Sequence, residues 1–138
     1  MLYFSYGMNT NQHEMSYRSP GAVSLGHARL IDHSFRFAYH ADVVPCKDSF
    51  VDGVLWKITD QDLVGLDQLE GYPTYYGRER LRVSQGSRIF LAICYSMQPG
   101  HPDSAPSDRY MNLVQEGYKQ HNVPTDQLWN FVELLNQG

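Results

Sequence analysis

Arg80-Leu81-Arg82-Val83-Ser84-Gln85-Gly86-Ser87-Arg88-Ile89-Phe90-Leu91-Ala92-Ile93-Cys94-Tyr95 is the stretch that decides the fold class. Its first four residues alternate polar and apolar side chains, the period of a half-buried strand. Gln85-Gly86 supplies a turn signal and residues 88–95 a second, largely apolar run, so the whole reads as a β-hairpin. Upstream, Gly53 to Ile58 reads as a strand leading into a helix over Thr59 to Leu69. Leu2 to Tyr6 is a short aromatic strand ended by Gly7, and a polar, helix-like segment follows from about Thr10 to Tyr17 until Ser19-Pro20-Gly21 breaks it. Two strands are expected around Ala22–Leu25 and Ala28–Phe37, with residues 40–50 as loop. Downstream, Gln98 to Pro106 is loop by composition. Ser107 caps a helix to about His121, and a last helix over Asp126 to Leu135 carries Leu128, Trp129, Phe131, Val132 and Leu135. Hairpins first and helices late favour an α+β arrangement over a doubly wound sheet.

The chain has 138 residues, 42% of them hydrophobic and 19% charged, which suits a single domain (1–138) with a real core. A net charge of −4 argues against nucleic acid or an anionic membrane as main partner. No apolar run approaches the roughly 20 residues needed to span a bilayer. Met1 leads straight into a strand, which leaves no room for a signal peptide. The two cysteines, Cys46 and Cys94, have no metal or redox spacing, and Cys94 reads as a buried small hydrophobe. A reduced, cytoplasmic setting follows. The six histidines show no zinc-site spacing, so no metal and no other cofactor is expected.

Within Leu66-Asp67-Gln68-Leu69-Glu70-Gly71, Glu70 stands where an acid does not serve stability. Thr59 is the expected N-cap, with Asp62 at the capping-box position, Leu63, Leu66 and Leu69 as apolar stripe and Gly71 as stop. Glu70 then meets the negative end of the helix dipole, at a cost of a few tenths to about 1 kcal/mol. That field raises a carboxylate's pKa toward the range useful to a general base or acid. Asp67, one helical turn earlier, is the rival acid, with a side-chain bond to loop backbone as its other reading. Arg78 and Arg80 are candidates for holding a substrate carboxylate, or exposed strand residues paired to Glu79 or solvent.

In Tyr3-Phe4-Ser5-Tyr6-Gly7-Met8-Asn9 a strand turns at Gly7 into the start of a helix. Such a turn presents successive main-chain N–H groups to a carboxylate or a polarised carbonyl, or is an ordinary turn with Asn9 as cap. Tyr76, Tyr95 and Tyr110 fall at strand ends or helix starts. Each places a hydroxyl in a pocket or packs with its hydroxyl at the surface.

Taken in order, these pieces resemble the γ-glutamylcyclotransferase family. The resemblance rests on Tyr3-x-x-Tyr6-Gly7-x-Asn9, Gly53-Val54-Leu55-Trp56, Leu66-Asp67-x-x-Glu70-Gly71 and Tyr76-x-Arg78. It continues through Ala92-x-Cys94-Tyr95, Pro106-Ser107-x-x-Tyr110 and Gly117 followed by Val123-Pro124, and covers nearly the whole chain. It implies a small closed mixed β-barrel flanked by helices, with a pocket at one end. The implied activity cyclises the γ-glutamyl group of a γ-glutamyl amino acid or amine to 5-oxoproline and releases the amine, as in glutathione metabolism. It also implies Glu70 as the catalytic acid, Tyr6, Gly7, Met8 and Asn9 as the substrate loop, and Tyr76, Tyr95 and Tyr110 as pocket tyrosines. The family loop usually carries Ser where this chain has Met8, and an apolar residue where it has Thr10.

Two alternatives stay open. The leaving group is an isopeptide lysine or a biosynthetic amine, sized by a wall for which the Gln98–Pro106 loop and the last helix are candidates. Otherwise the barrel is a non-catalytic small-molecule-binding module. The oligomeric state is open too, a homodimer included, with Trp129 and Phe131 facing either a partner or the core.

Overall fold

In the computed structural model, which describes residues 1–137, five strands close a barrel in the order β1-β3-β2-β4-β5. The strands are β1 (Leu2–Ser5), β2 (Val23–Ala38), β3 (His40–Lys57), β4 (Tyr76–Gln85) and β5 (Arg88–Met97). Their pairings are antiparallel except where β1 meets β5 in parallel, Tyr3 opposite Ile93, so the sheet is mixed. The helices are α1 (Gln12–Arg18), α2 (Asp60–Leu69), α3 (Asp108–Gln120) and α4 (Asp126–Gln137). No helix among the described residues is long and apolar enough to cross a membrane.

The expected hairpin is β4–β5, in unbroken register from Tyr76 opposite Met97 to Gln85 opposite Arg88, with Gly86 at φ +60° in the turn. The reading of residues 22–50 needs correction. The two strands expected at Ala22–Leu25 and Ala28–Phe37 are one strand, β2, which starts at Val23, and residues 40–50 are not loop but the first half of β3. Tyr39, at φ +65°, makes the tight turn between them. What looked like loop is an irregularity inside the pair. The register slips between Ile31 opposite Phe50 and His33 opposite Pro45, and Asp32 Oδ1 accepts the Asp48 N–H at 2.9 Å. Pro45 and the polar residues after it fit a bulge, which bends a strand without ending it.

Strands and helices share one core. Phe4, Leu30, Phe37, Val51 and Leu55 are fully buried from the barrel, with Leu66, Val114, Tyr118 and Leu128 from the helices. Burial of each such side chain is worth about 1.5–3 kcal/mol, enough to hold α2 and α3 at the barrel. Cys94 is buried, and burial pushes its thiol well above the usual range, as befits a packed small hydrophobe. Phe131 packs edge-on against Phe37, whereas Trp129 is about half exposed.

Between β1 and α1 the chain makes a single 3₁₀ turn, Met8–Thr10, and Asn11 caps α1 through bonds from the N–H groups of His13 and Glu14. Asn9 is therefore not the cap, and its side chain is free for another task. Helix α3 braces this turn. A Cβ on Gly117 would lie 2.6 Å from the Asn11 nitrogen and collide with the Thr10 hydroxyl, so only glycine admits this approach.

Candidate active site

Glu70 owes its place to both ends of α2. Thr59 and Asp62 form the expected capping box at the start. At the end, the Gly71 N–H donates to the Gln68 carbonyl and the Tyr72 N–H to the Asp67 carbonyl, with Gly71 at φ +64°. This is a Schellman closure, which needs a left-handed residue after the cap. Glu70 is the cap itself, and its carboxylate faces a cavity of about 320 Å³. Leu66 is buried and Leu63 half-buried, but Leu69 is largely exposed, so the apolar stripe is narrower than its spacing predicts.

The other wall is the β1–α1 connection. A Cβ on Gly7 would lie 2.9 Å from the Tyr110 hydroxyl and 3.0 Å from the Ala41 Cβ. Its φ of −119° lies outside the left-handed region, and the close approach asks for glycine. The Thr10 and Asn11 N–H groups close the turn onto the carbonyls of Gly7 and Met8. Trp56 Nε1 donates to Ser5 Oγ at 2.9 Å, and Ser5 Oγ donates to the Asn9 carbonyl at 3.0 Å, which ties the turn to the barrel.

Asn9 links the two walls. Its Nδ2 donates to Glu70 Oε1 and to the Tyr3 hydroxyl, both at 3.0 Å, while its Oδ1 accepts from Arg18 Nη1 at 2.9 Å. Because Arg18 offers only donors, the amide has one satisfactory orientation, with its donor end toward Glu70. Burial pushes the Glu70 carboxyl up to about 7, against the opposing pull of Arg18 and of the Asn9 bond. Desolvation is therefore the dominant cause. Among the described residues Glu70 Oε2 takes no hydrogen bond, which leaves that oxygen for a ligand.

The eight residues that the family resemblance implied, Tyr6, Gly7, Met8, Asn9, Glu70, Tyr76, Tyr95 and Tyr110, all line this one cavity, whereas the other candidates Asp67, Arg78 and Arg80 do not. The tyrosine hydroxyls are mostly engaged by the protein itself. Tyr6 donates to the Tyr95 carbonyl at 2.5 Å, Tyr76 to the Ala41 carbonyl at 2.8 Å, and Tyr95 to Asp67 Oδ1 at 2.6 Å. Tyr110 instead accepts the Ala41 N–H at 3.0 Å, and burial raises its hydroxyl above the ordinary range. Asp67 bonds Tyr95 and pairs with Arg78, so it neither serves loop backbone nor leaves Arg78 to Glu79 or solvent.

Tyr3, Arg18, His40, Tyr75 and Arg109 also line the cavity and were not expected there. Tyr3 was visible only as part of the strand motif. His40 sat in the stretch misread as loop, and burial lowers its pKa. Neither the 98–106 loop nor α4 supplies a residue of the cavity; the loop touches its wall where His101 stacks edge-on against Tyr75 and the Gln98 N–H donates to the Tyr75 carbonyl at 2.9 Å.

A closed five-stranded mixed barrel flanked by four helices is a γ-glutamylcyclotransferase-like fold. A sequence profile for "Gamma-glutamyl cyclotransferase, AIG2-like" matches residues 3–118, and the chain belongs to that family. It is 30% identical over 141 residues to the bovine (Bos taurus) protein named gamma-glutamylcyclotransferase, covering 91% of this chain and 73% of the relative. The human protein of the same name is 27% identical over 139 residues, with the same coverage. A solved structure described as gamma-glutamyl cyclotransferase superposes with a TM-score of 0.84 over 94% of this chain and 85% of its own, at 24% identity. At that identity the superposition speaks for the fold.

Proposed function

We propose that the protein is a γ-glutamylcyclotransferase that converts a γ-glutamyl amino acid or amine to 5-oxoproline and the free amine. The observation that carries this reading is Glu70, poised at about 7 beside the Asn9 amide, with one oxygen open to the cavity. A carboxyl at its reference pKa of about 4.3 protonates a departing nitrogen poorly; one near neutrality accepts and returns a proton at comparable cost.

In the proposed reaction Glu70 takes a proton from the substrate's α-ammonium. The freed α-amine attacks its own γ-carbonyl, one C–N bond forms, and a tetrahedral oxyanion appears. The N–H groups of Gly7 to Asn9 are the donors assigned to that oxyanion or to the α-carboxylate; loss of one such donor typically costs about 3 kcal/mol. Glu70 then gives its proton to the leaving nitrogen as the original C–N bond breaks. The attacking nitrogen must also shed a second proton to become the lactam N–H; Glu70, ionised again, accepts it and the released amine takes it up, so the ammonium consumed reappears on the product amine. Tyr76, Tyr95 and Tyr110 shape the pocket, whose walls hold the chain folded for five-membered ring closure.

The test is release of 5-oxoproline from γ-glutamyl-alanine, ε-(γ-glutamyl)-lysine and glutathione by wild type and by Glu70→Gln. The Gln variant keeps an acceptor for Asn9, and should fold normally while losing nearly all turnover. More than a tenth of the wild-type rate in that variant removes Glu70 from the role.

A further inference from the structure

We infer that Arg18 is a positioning residue for Glu70 and acts through Asn9 rather than on substrate. The inference rests on the cyclotransferase reading. Arg18 ends α1, and its guanidinium is fixed from three sides. Nη1 donates to Asn9 Oδ1 at 2.9 Å, Nη2 lies 3.1 Å from the Met8 sulfur, and Glu14 Oε1 stands 3.8 Å away. A planar guanidinium held in this way imposes one orientation on the Asn9 amide. If Arg18 is removed, the amide is free to flip and turn its oxygen toward the carboxylate, a repulsive contact that would swing Glu70 out of line. The Met8 side chain thereby gains a part: its thioether lies against Arg18, a contact made by the side chain while the backbone runs along the cavity.

The charged surroundings make Arg18 readable by titration. Tyr3 on β1, Tyr6 just after it, Tyr76 on β4, Cys94 on β5 and Tyr110 on α3 all feel Glu70, and all are pushed upward by burial, so none ionises between pH 5 and 9. Tyr75, just before β4, is likewise raised, and His40 on β3 is lowered by burial. Arg109 on α3 is the other cationic side chain lining the cavity. Glu14, 3.8 Å from Arg18 Nη2, is a second carboxylate lining the cavity. Arg18 is thus the cation that draws the Glu70 proton affinity down.

The experiment compares kcat, KM and the kcat/KM–pH profile of wild type with Arg18→Met, Arg18→Lys, Asn9→Ala and the Arg18→Met/Asn9→Ala pair, on whichever γ-glutamyl substrate is turned over. For Arg18→Met we expect kcat to fall at least tenfold, KM to change less than threefold, and the acidic limb to move up by about one pH unit. Arg18→Lys should restore the limb but not the full kcat, since it returns the charge without the planar pair of donors. The double variant should be no slower than Asn9→Ala alone, because the effect passes through Asn9. A rise in KM with kcat and limb unmoved would show Arg18 binding substrate directly, and additive losses would show it acting without Asn9; either overturns the inference. Absence of turnover in wild type is a separate failure, that of the cyclotransferase reading.

Discussion

Asn9 and Glu70 are 61 residues apart in the chain and share a hydrogen bond of 3.0 Å, from Asn9 Nδ2 to Glu70 Oε1. The bond ties the turn after β1 to the end of α2, so the two local signals most evident in the sequence are parts of one arrangement. It also sets the conflict at the site. Burial favours the protonated carboxyl, while Asn9 and Arg18 favour the carboxylate, and the balance falls near neutrality.

That balance makes stability depend on pH. Glu70 binds its proton more tightly in the folded protein, at about 7, than at its ordinary value of 4.5. The folded state therefore holds more protons between those limits, and stability falls as pH rises through them. Below the window the contribution is intact; above it, the loss reaches about 3 kcal/mol, from roughly 1.4 kcal/mol per pKa unit. Glu70→Gln should abolish this slope and be the more stable protein at pH 8. Urea titrations of both proteins at pH 5 and pH 8 check it; parallel pH dependences would mean that the carboxyl is not destabilised by folding.

Tyr110→Phe leaves the Ala41 N–H without the acceptor that it meets at 3.0 Å. A buried donor left unpaired costs about 1–3 kcal/mol. The same hydroxyl also packs where a Gly7 Cβ would be, so its loss loosens the turn after β1. We expect lower stability together with at least a tenfold fall in kcat/KM. Thermal unfolding and turnover measured on one preparation separate the two; full turnover with reduced stability would make Tyr110 scaffold alone.

Gly117→Ala should act on the cavity from behind. The new methyl would strike the Thr10 hydroxyl and the Asn11 nitrogen at the base of the 3₁₀ turn. Overpacking of this kind costs about 1–3 kcal/mol, more where backbone must yield. The shift would carry Asn9 away from Glu70, so turnover should fall although no residue of the cavity has changed. A Gly117→Ala variant with wild-type melting temperature and rate would show that α3 gives way instead.

Legibility in the sequence followed how local each signal is. The β4–β5 hairpin was readable because the alternation, the Gln85-Gly86 turn and the apolar run all lie within residues 80–95. Glu70 was readable because a carboxylate at a helix end contradicts the dipole, a conflict confined to one turn. The long β2–β3 pair was not, since the slip opposite Asp32 fills residues 45–49 with a proline and polar groups that read as loop. Arg18 gave no signal for the opposite reason: a cation in the last turn of a helix is favourable, and its bond to Asn9 exists only in three dimensions. Tyr3 hid inside an apolar strand motif.

Tyr95 and Tyr76 should separate scaffold from chemistry. Their hydroxyls donate to Asp67 Oδ1 at 2.6 Å and to the Ala41 carbonyl at 2.8 Å, so each is spent within the protein. Tyr95→Phe removes one donor from Asp67 and leaves it paired with Arg78, at a cost of about 1–2 kcal/mol. Tyr76→Phe leaves the Ala41 carbonyl short of a donor, at a similar cost. In both variants the ring still lines the cavity, so KM on the preferred γ-glutamyl substrate should stay within about threefold of wild type while the melting temperature drops. A large fall in kcat with an unchanged melting temperature would show the opposite, that the hydroxyl leaves its protein partner and bonds the substrate during turnover.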